Sequence, residues 1–225
     1  MPLMAEPAHE PVPVYRIAAA LDAPEAAVEM LKPYGADFRR AWERCSFGEF
    51  LLPFSVSFGV PFWIVIEAGV ECLRMAIEPI EFGEAEDFLD TIEFWICGEV
   101  CARALADEGN SLIKLGRIME GKQKIPQALS CKAVVAIGHA AVAGNRSNDH
   151  LFQHALNDAL MAAAAARIEF VRQCGRSERF YLTHYHRRVR KEFADITRDF
   201  IPFEALAGAP LIHASLDHDM KMPEA

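Results

Sequence analysis

Ser147-NDHLFQHALNDALMAAAAARIEFVRQ-Cys174 decides the fold class. Leu160 to Arg167 is almost all alanine, the residue that costs least in a helix. The stretch therefore predicts one long helix. Its inner stripe would be Phe152, Ala155, Ala159, Ala163, Ala166 and Phe170, whose small side chains let a neighbouring helix approach closely. Gly175 supplies the stop and Ser177 a cap for the next helix.

Helical signals continue on both sides. Towards the C-terminus, Leu182, Tyr185, Val189, Phe193, Ile196 and Phe200 form an apolar stripe that ends at Pro202. Towards the N-terminus, Pro126 opens a helix that closes near Gly144. Leu89, Ile92, Ile96 and Val100 mark another over 84–106, with Gly98 as a kink or break. Trp63, Ile66, Val70, Leu73 and Ile77 mark one from Pro61 to Ile77. Three short helices precede these: Asp22 with Glu25, and Ser46 with Glu49, read as reciprocal caps, and a helix carrying Arg39, Arg40, Trp42 and Glu43 lies between. No hairpin dipeptide separates alternating apolar runs; Ala133 to Ile137 is the one ambiguous piece. The expectation is an all-α, multi-helix single domain with an alanine-rich central helix. A proline-rich, extended arm spans 1–21, the helical domain 22–204 and an irregular tail 205–225.

The 225 residues suffice for one sizeable core, and an apolar share of 52% fits a packed protein. A formal charge of −9 disfavours nucleic acid and anionic membranes as partners. The uncharged run from Phe50 to Ile66 is interrupted by Pro53, Gly59 and Pro61, which favours two buried helices around a turn over a membrane span. Cys45, Cys72, Cys97, Cys101, Cys131 and Cys174 sit in apolar helical surroundings, and no secretion signal opens the chain. Reduced packing thiols and a cytoplasmic location are the expectation.

Few residues group in a way that carries chemistry. His150, His154 and Asp158 recur every four positions on the side opposite the alanine stripe, a spacing at which two imidazoles and a carboxylate can share a metal. Further ligands are missing from the pattern, since the lone Glu-x-x-His, Glu6 to His9, lies in the proline-rich arm. A solvent-facing polar side explains the triplet as well. His184 and His186 project about 160° apart on a helix and cannot serve one ion. Arg187, Arg188, Arg190 and Lys191 form a basic run, yet Arg188 with Glu192 and Lys191 with Asp195 have ordinary ion-pair spacing. Glu78, Glu81, Glu84, Glu86, Asp87 and Asp90 cluster about a helix start, where carboxylates favour the dipole and could also meet a basic partner. No catalytic, phosphate-binding or dinucleotide motif occurs, and no cofactor is expected.

Three patches in order carry a family likeness. The first is Trp42-Glu-Arg-Cys45, then Glu49-Phe50-Leu51-Leu52 and Phe58-Gly59-Val60. The second runs from Ala68 to Ile77 with Cys72-Leu-Arg-Met-Ala inside it, followed by Ile92-Glu93-Phe94-Trp95 and Gly98-Glu99. The third is Phe193-Ala194-Asp195-Ile196 leading into Phe200-Ile201-Pro202. Together they resemble the immunity-protein-five-like helical family of bacteria and phages, encoded beside polymorphic-toxin genes. The chain departs from that pattern in its proline-rich arm, its C-terminal tail and its less extreme alanine content.

The resemblance implies a non-enzymatic protein that binds and neutralises a toxin. Glu84, Glu86, Asp87 and Asp90 are the candidate partner-binding residues, directed at a basic protein by charge complementarity. Two alternatives stand beside it. One is a helical metal-dependent enzyme using His150, His154 and Asp158; the other is a phage or mobile-element structural subunit that forms homo-oligomers through its small-residue helix.

Overall fold

Pro13 is followed at once by a helix, α1 (Val14–Ala20), in which Arg16 N donates to the Pro13 carbonyl. The prolines that suggested an extended arm lie before this turn, and a proline just ahead of a helix leaves its first hydrogen bonds intact. Residues 12–20, 25–175 and 179–207 of this computed structural model are described here. The expected caps Asp22 and Ser177, Glu6 and His9 of the arm, and the tail beyond Ala207 lie outside them.

The structure is an all-α, multi-helix single domain in which two compact units can be told apart, Met1–Cys45 and Ser46–Ala225. In the first, α1 is joined by α2 (Glu25–Leu31), a 3-10 turn (Lys32–Tyr34) and α3 (Phe38–Arg44). Val14 N donates to the Gly35 carbonyl at 2.8 Å, tying the start of α1 to the turn after α2. That turn needs Gly35, whose φ of 55° is costly for other residues. Asp37 caps α3 by accepting from Arg40 N at 3.0 Å.

The second unit holds α4 (Gly48–Val56), α5 (Phe62–Ile77), α6 (Gly83–Ile96), α7 (Ala102–Gly121), α8 (Ile125–Asn145), α9 (Asp149–Gln173), α10 (Arg179–Phe200) and α11 (Phe203–Ala207). No strand occurs among the described residues, and Ala133 to Ile137 lies inside α8. α8 and α9 pack most extensively, α7 covers α8, and α5 touches α4, α6, α8, α9 and α10. The run from Phe50 to Ile66 is divided between α4 and α5 by the Gly59 turn, as its composition requires. Among the described residues one helix, α8, is long and apolar enough to cross a membrane, and 56% of its most apolar window is buried in the fold.

The alanine stripe of α9 is broader than the spacing suggested. Phe152, Ala159, Ala163 and Ala166 are buried with Leu156, Leu160, Ala162 and Ala164, whereas Ala155 and Phe170 remain partly exposed. Packing against more than one helix explains the extra width. In α10 the buried line is Val189, Phe193, Ala194 and Thr197, and Phe200 faces out. Gly98, at φ 79°, marks a complete break between α6 and α7.

α4 begins differently from the expected Ser46–Glu49 cap. Phe47 takes the cap position and Glu49 turns inward. A Cβ on Gly48 would lie 2.2 Å from Phe193 Cβ and 2.3 Å from the Ala194 backbone nitrogen, so the first turn of α4 rests directly on α10.

Candidate functional site

Charge is distributed unevenly along the fold. Residues 61–100, which contain α5 and α6, carry ten carboxylates against one arginine, an excess that equals the chain's formal net charge of −9. On α5, Glu67, Glu71 and Arg74 recur at spacings of three and four, with Trp63 one turn ahead and Glu78 following at the helix end. On α6, Glu86, Asp90 and Glu93 do the same. Arg74 joins the two rows, its Nη2 donating to Asp90 Oδ1 at 2.6 Å and to Glu93 Oε2 at 2.7 Å. Among the described residues the other eight carboxylates make no ion pair.

Of the candidates read from sequence, Glu84, Glu86, Asp87 and Asp90 are all exposed on α6. Asp90 is the one engaged by Arg74. Glu84 faces α8: the Cys131 thiol is pushed up to about 11 by burial and then by the Glu84 charge. Glu81 holds a left-handed φ of 52°, where glycine is the usual residue. Trp63 and Phe94, on the same two helices, are 47% and 48% exposed. Their exposure is a feature sequence spacing missed, because Trp63 counts as a member of the inward stripe until α5 is packed.

His150, His154 and Asp158 are exposed along α9. The His150 and His154 rings lie 4.5 Å apart. Among the described residues no group of three or more His, Cys, Asp or Glu side chains is placed to hold a metal ion. The triplet separates instead: His154 and Asp158 line a cavity of about 640 Å³ between α7, α8 and α9, floored by Phe88 of α6, and His150 does not. His139 of α8 joins them there. It went unmarked in the sequence because only the α8–α9 hairpin brings position 139 opposite position 155.

The basic run of α10 resolves into surface pairs and one inward arginine. Arg188 Nε donates to Glu192 Oε1 at 2.7 Å, and Lys191 pairs with Asp195 at the surface. Arg190 instead lies in charge contact with Glu49 and over the Phe47 ring, 4.5 Å from its centroid. The Nε–H is not aligned for a hydrogen bond, so the attraction is one of charge. Burial raises the Glu49 carboxyl above its ordinary range, against the opposing pull of Arg190. His186, on the same helix, is held low by burial and then by the Arg190 charge, and His184 faces out.

Cys45, Cys72 and Cys131 are buried, as packing thiols are. Cys97, Cys101 and Cys174 are exposed, which corrects the reading of these three as packing thiols. The Gly98 break places one at the end of α6 and the other at the start of α7, outside any apolar stripe.

Comparison with models of protein families, with curated proteins and with solved structures finds no match to the chain.

Proposed function

We propose that the chain is a non-enzymatic binding protein of the immunity type, which acts in the bacterial cytoplasm by covering a basic protein partner with its α5–α6 face. The observation that carries this reading is the concentration of the net negative charge on two adjacent helices, mostly unpaired and flanked by exposed Trp63 and Phe94. Unpaired carboxylates steer a basic partner into place, and aromatic side chains supply the anchors typical of an interface centre. In this reading the alanine-rich α9 is a central helix that supports α5, while α6 rests on α7 and α8. The resemblance to the immunity-protein-five-like family supports the same conclusion, with the partner a toxin.

The test is recovery of the chain from its native host, together with co-expression beside the neighbouring toxin gene. Capture of a basic protein and protection of the cells are expected. Both should be lost in Glu67→Lys/Glu71→Lys and kept in Asp107→Lys, on the exposed side of α7. A clean chain with no partner and no protection, or a charge-reversed chain that protects as well as the parent, ends the proposal.

A further inference from the structure

The cavity between α7, α8 and α9 has the size of a small-molecule site, since about 640 Å³ falls within the range of ligand pockets. It exists because small residues line it. Gly109 and Gly138 let the helices close on the Phe88 ring, which a Cβ at Gly138 would meet at 3.1 Å. Ala106 and Ala155 leave the remaining walls shallow. The floor is closed by the buried Phe88, Leu105 and Val135, and Val142 gives an apolar side. At the rim, Ile113 is 37% exposed and Leu151 56% exposed, so water meets apolar surface that an occupant would cover.

The polar groups are unequal in kind. Arg146, His139, His154, Asn110 and Asn148 can all donate hydrogen bonds towards an occupant, and Asp158 is the one carboxylate. Among the described residues Arg146 makes no ion pair. In a chain whose charge is strongly negative elsewhere, this is a donor-rich patch over an apolar pit. Arg146 and Asn148 stand at the α8–α9 turn, and Asp158 lies ten positions further along α9. An anion seated at Arg146 is thus separated from that carboxylate by several helical positions.

The geometry points to a binding site for a small amphipathic carboxylate, its apolar body against Ile113, Val142 and Leu151 and its acid group at Arg146. This site is separate from the α5–α6 face and does not depend on the partner-binding reading.

Calorimetric titration of the purified chain with 4-phenylbutyrate, 4-phenyl-1-butanol and 4-phenylbutylamine tests it. The three share one apolar body and differ in the head group. The acid should bind about tenfold or more tightly than the alcohol, the difference carried by one charge-assisted hydrogen bond. Arg146→Gln should erase that preference, bringing the acid to the affinity of the alcohol. Ala106→Trp should fill the cavity and abolish binding of all three, and circular dichroism checks that it folds. Leu151→Gln, at the exposed rim, should weaken all three and serves if Ala106→Trp does not fold. Absence of binding at millimolar concentration, equal binding of acid and alcohol, tighter binding of the amine, or acid binding that survives both cavity variants would overturn the assignment.

Discussion

The carboxylate of Glu49, at the start of α4, lies against the guanidinium of Arg190 in α10, 141 positions later in the chain. Glu49 is only 2% exposed, and Arg190 is clamped between it and the Phe47 ring. A charge taken this far from water is tolerated because its counter-charge is fixed beside it.

Removing one partner should therefore cost more than removing both. Arg190→Met alone is expected to destabilise the fold by about 3–5 kcal/mol, because it leaves the buried Glu49 carboxylate unpaired, and Glu49→Leu by less, because the Arg190 side chain is 23% exposed and keeps some water. The double variant should recover much of that loss. Urea denaturation of the four proteins in a double-mutant cycle measures the coupling, and additive losses would show the pair to be independent.

Gly48→Ala should be destabilising even though alanine is the better helix former. The added Cβ meets the backbone of α10 at 2.3 Å, so α4 and α10 must separate. A loss of about 1–3 kcal/mol is expected from overpacking, read as a lower urea midpoint. Gly59→Ala leaves the contacts alone but meets a φ of 71°, so its smaller loss should arise from backbone strain.

His186 contributes a pH dependence of definite sign. Its folded pKa lies below the ordinary value of 6.5, so the unfolded chain binds the proton more tightly. Stability from this group is present above pH 6.5 and is lost as pH falls through that value towards the depressed pKa. Glu49, with its raised pKa, works in the opposite direction: acidification through its folded value relieves its burial cost. His186→Gln should flatten the loss of stability below pH 6.5, measured by thermal melts across pH. An unchanged profile would remove His186 as its source.

Glu81→Gly should raise stability by about 1 kcal/mol, because glycine adopts the left-handed backbone at φ 52° without the clash that a side chain meets. The same change removes a carboxylate from the acidic face. A gain in melting temperature paired with weaker partner capture is the expected outcome of stability surrendered for binding.

Thiol titration of the native protein should count three fast groups, Cys97, Cys101 and Cys174, and three more only after denaturation. Burial raises the Cys72 thiol far above its usual range, and its Sγ is 3.8 Å from the Phe193 carbonyl. It should be the slowest to react.

Much of the helical layout was legible because its signals are local. Gly98, Pro126 and Gly175 mark boundaries through backbone freedom or a missing donor, and each affects only its own few neighbours. The surface pairs Arg188–Glu192 and Lys191–Asp195 follow from helix spacing in the same way. The inward turn of Arg190 is different, since nothing within a few residues distinguishes it from Arg187 or Arg188. Its role depends on Glu49, and only the packing of α4 on α10 joins them. His139 stayed hidden for the same reason, being set beside His154 and Asp158 by the hairpin of α8 and α9. Where the periodic signal was clear but the packing was two-sided, as in α9, the sequence indicated a helix and underestimated how much of it is enclosed.

The seat of α4 on α10 also orders events during synthesis. Gly48 and Glu49 leave the ribosome early, but Arg190, Phe193 and Ala194, which cover them, come only after α5 to α9 have been made. The α8–α9 hairpin, neighbours in sequence, can assemble as soon as both helices are out. Until α10 arrives, α4 offers an uncapped groove and an unanswered carboxylate to whatever is nearby. A stalled or shortened nascent chain would thus expose the kind of surface that chaperones bind, and α10 is what withdraws it.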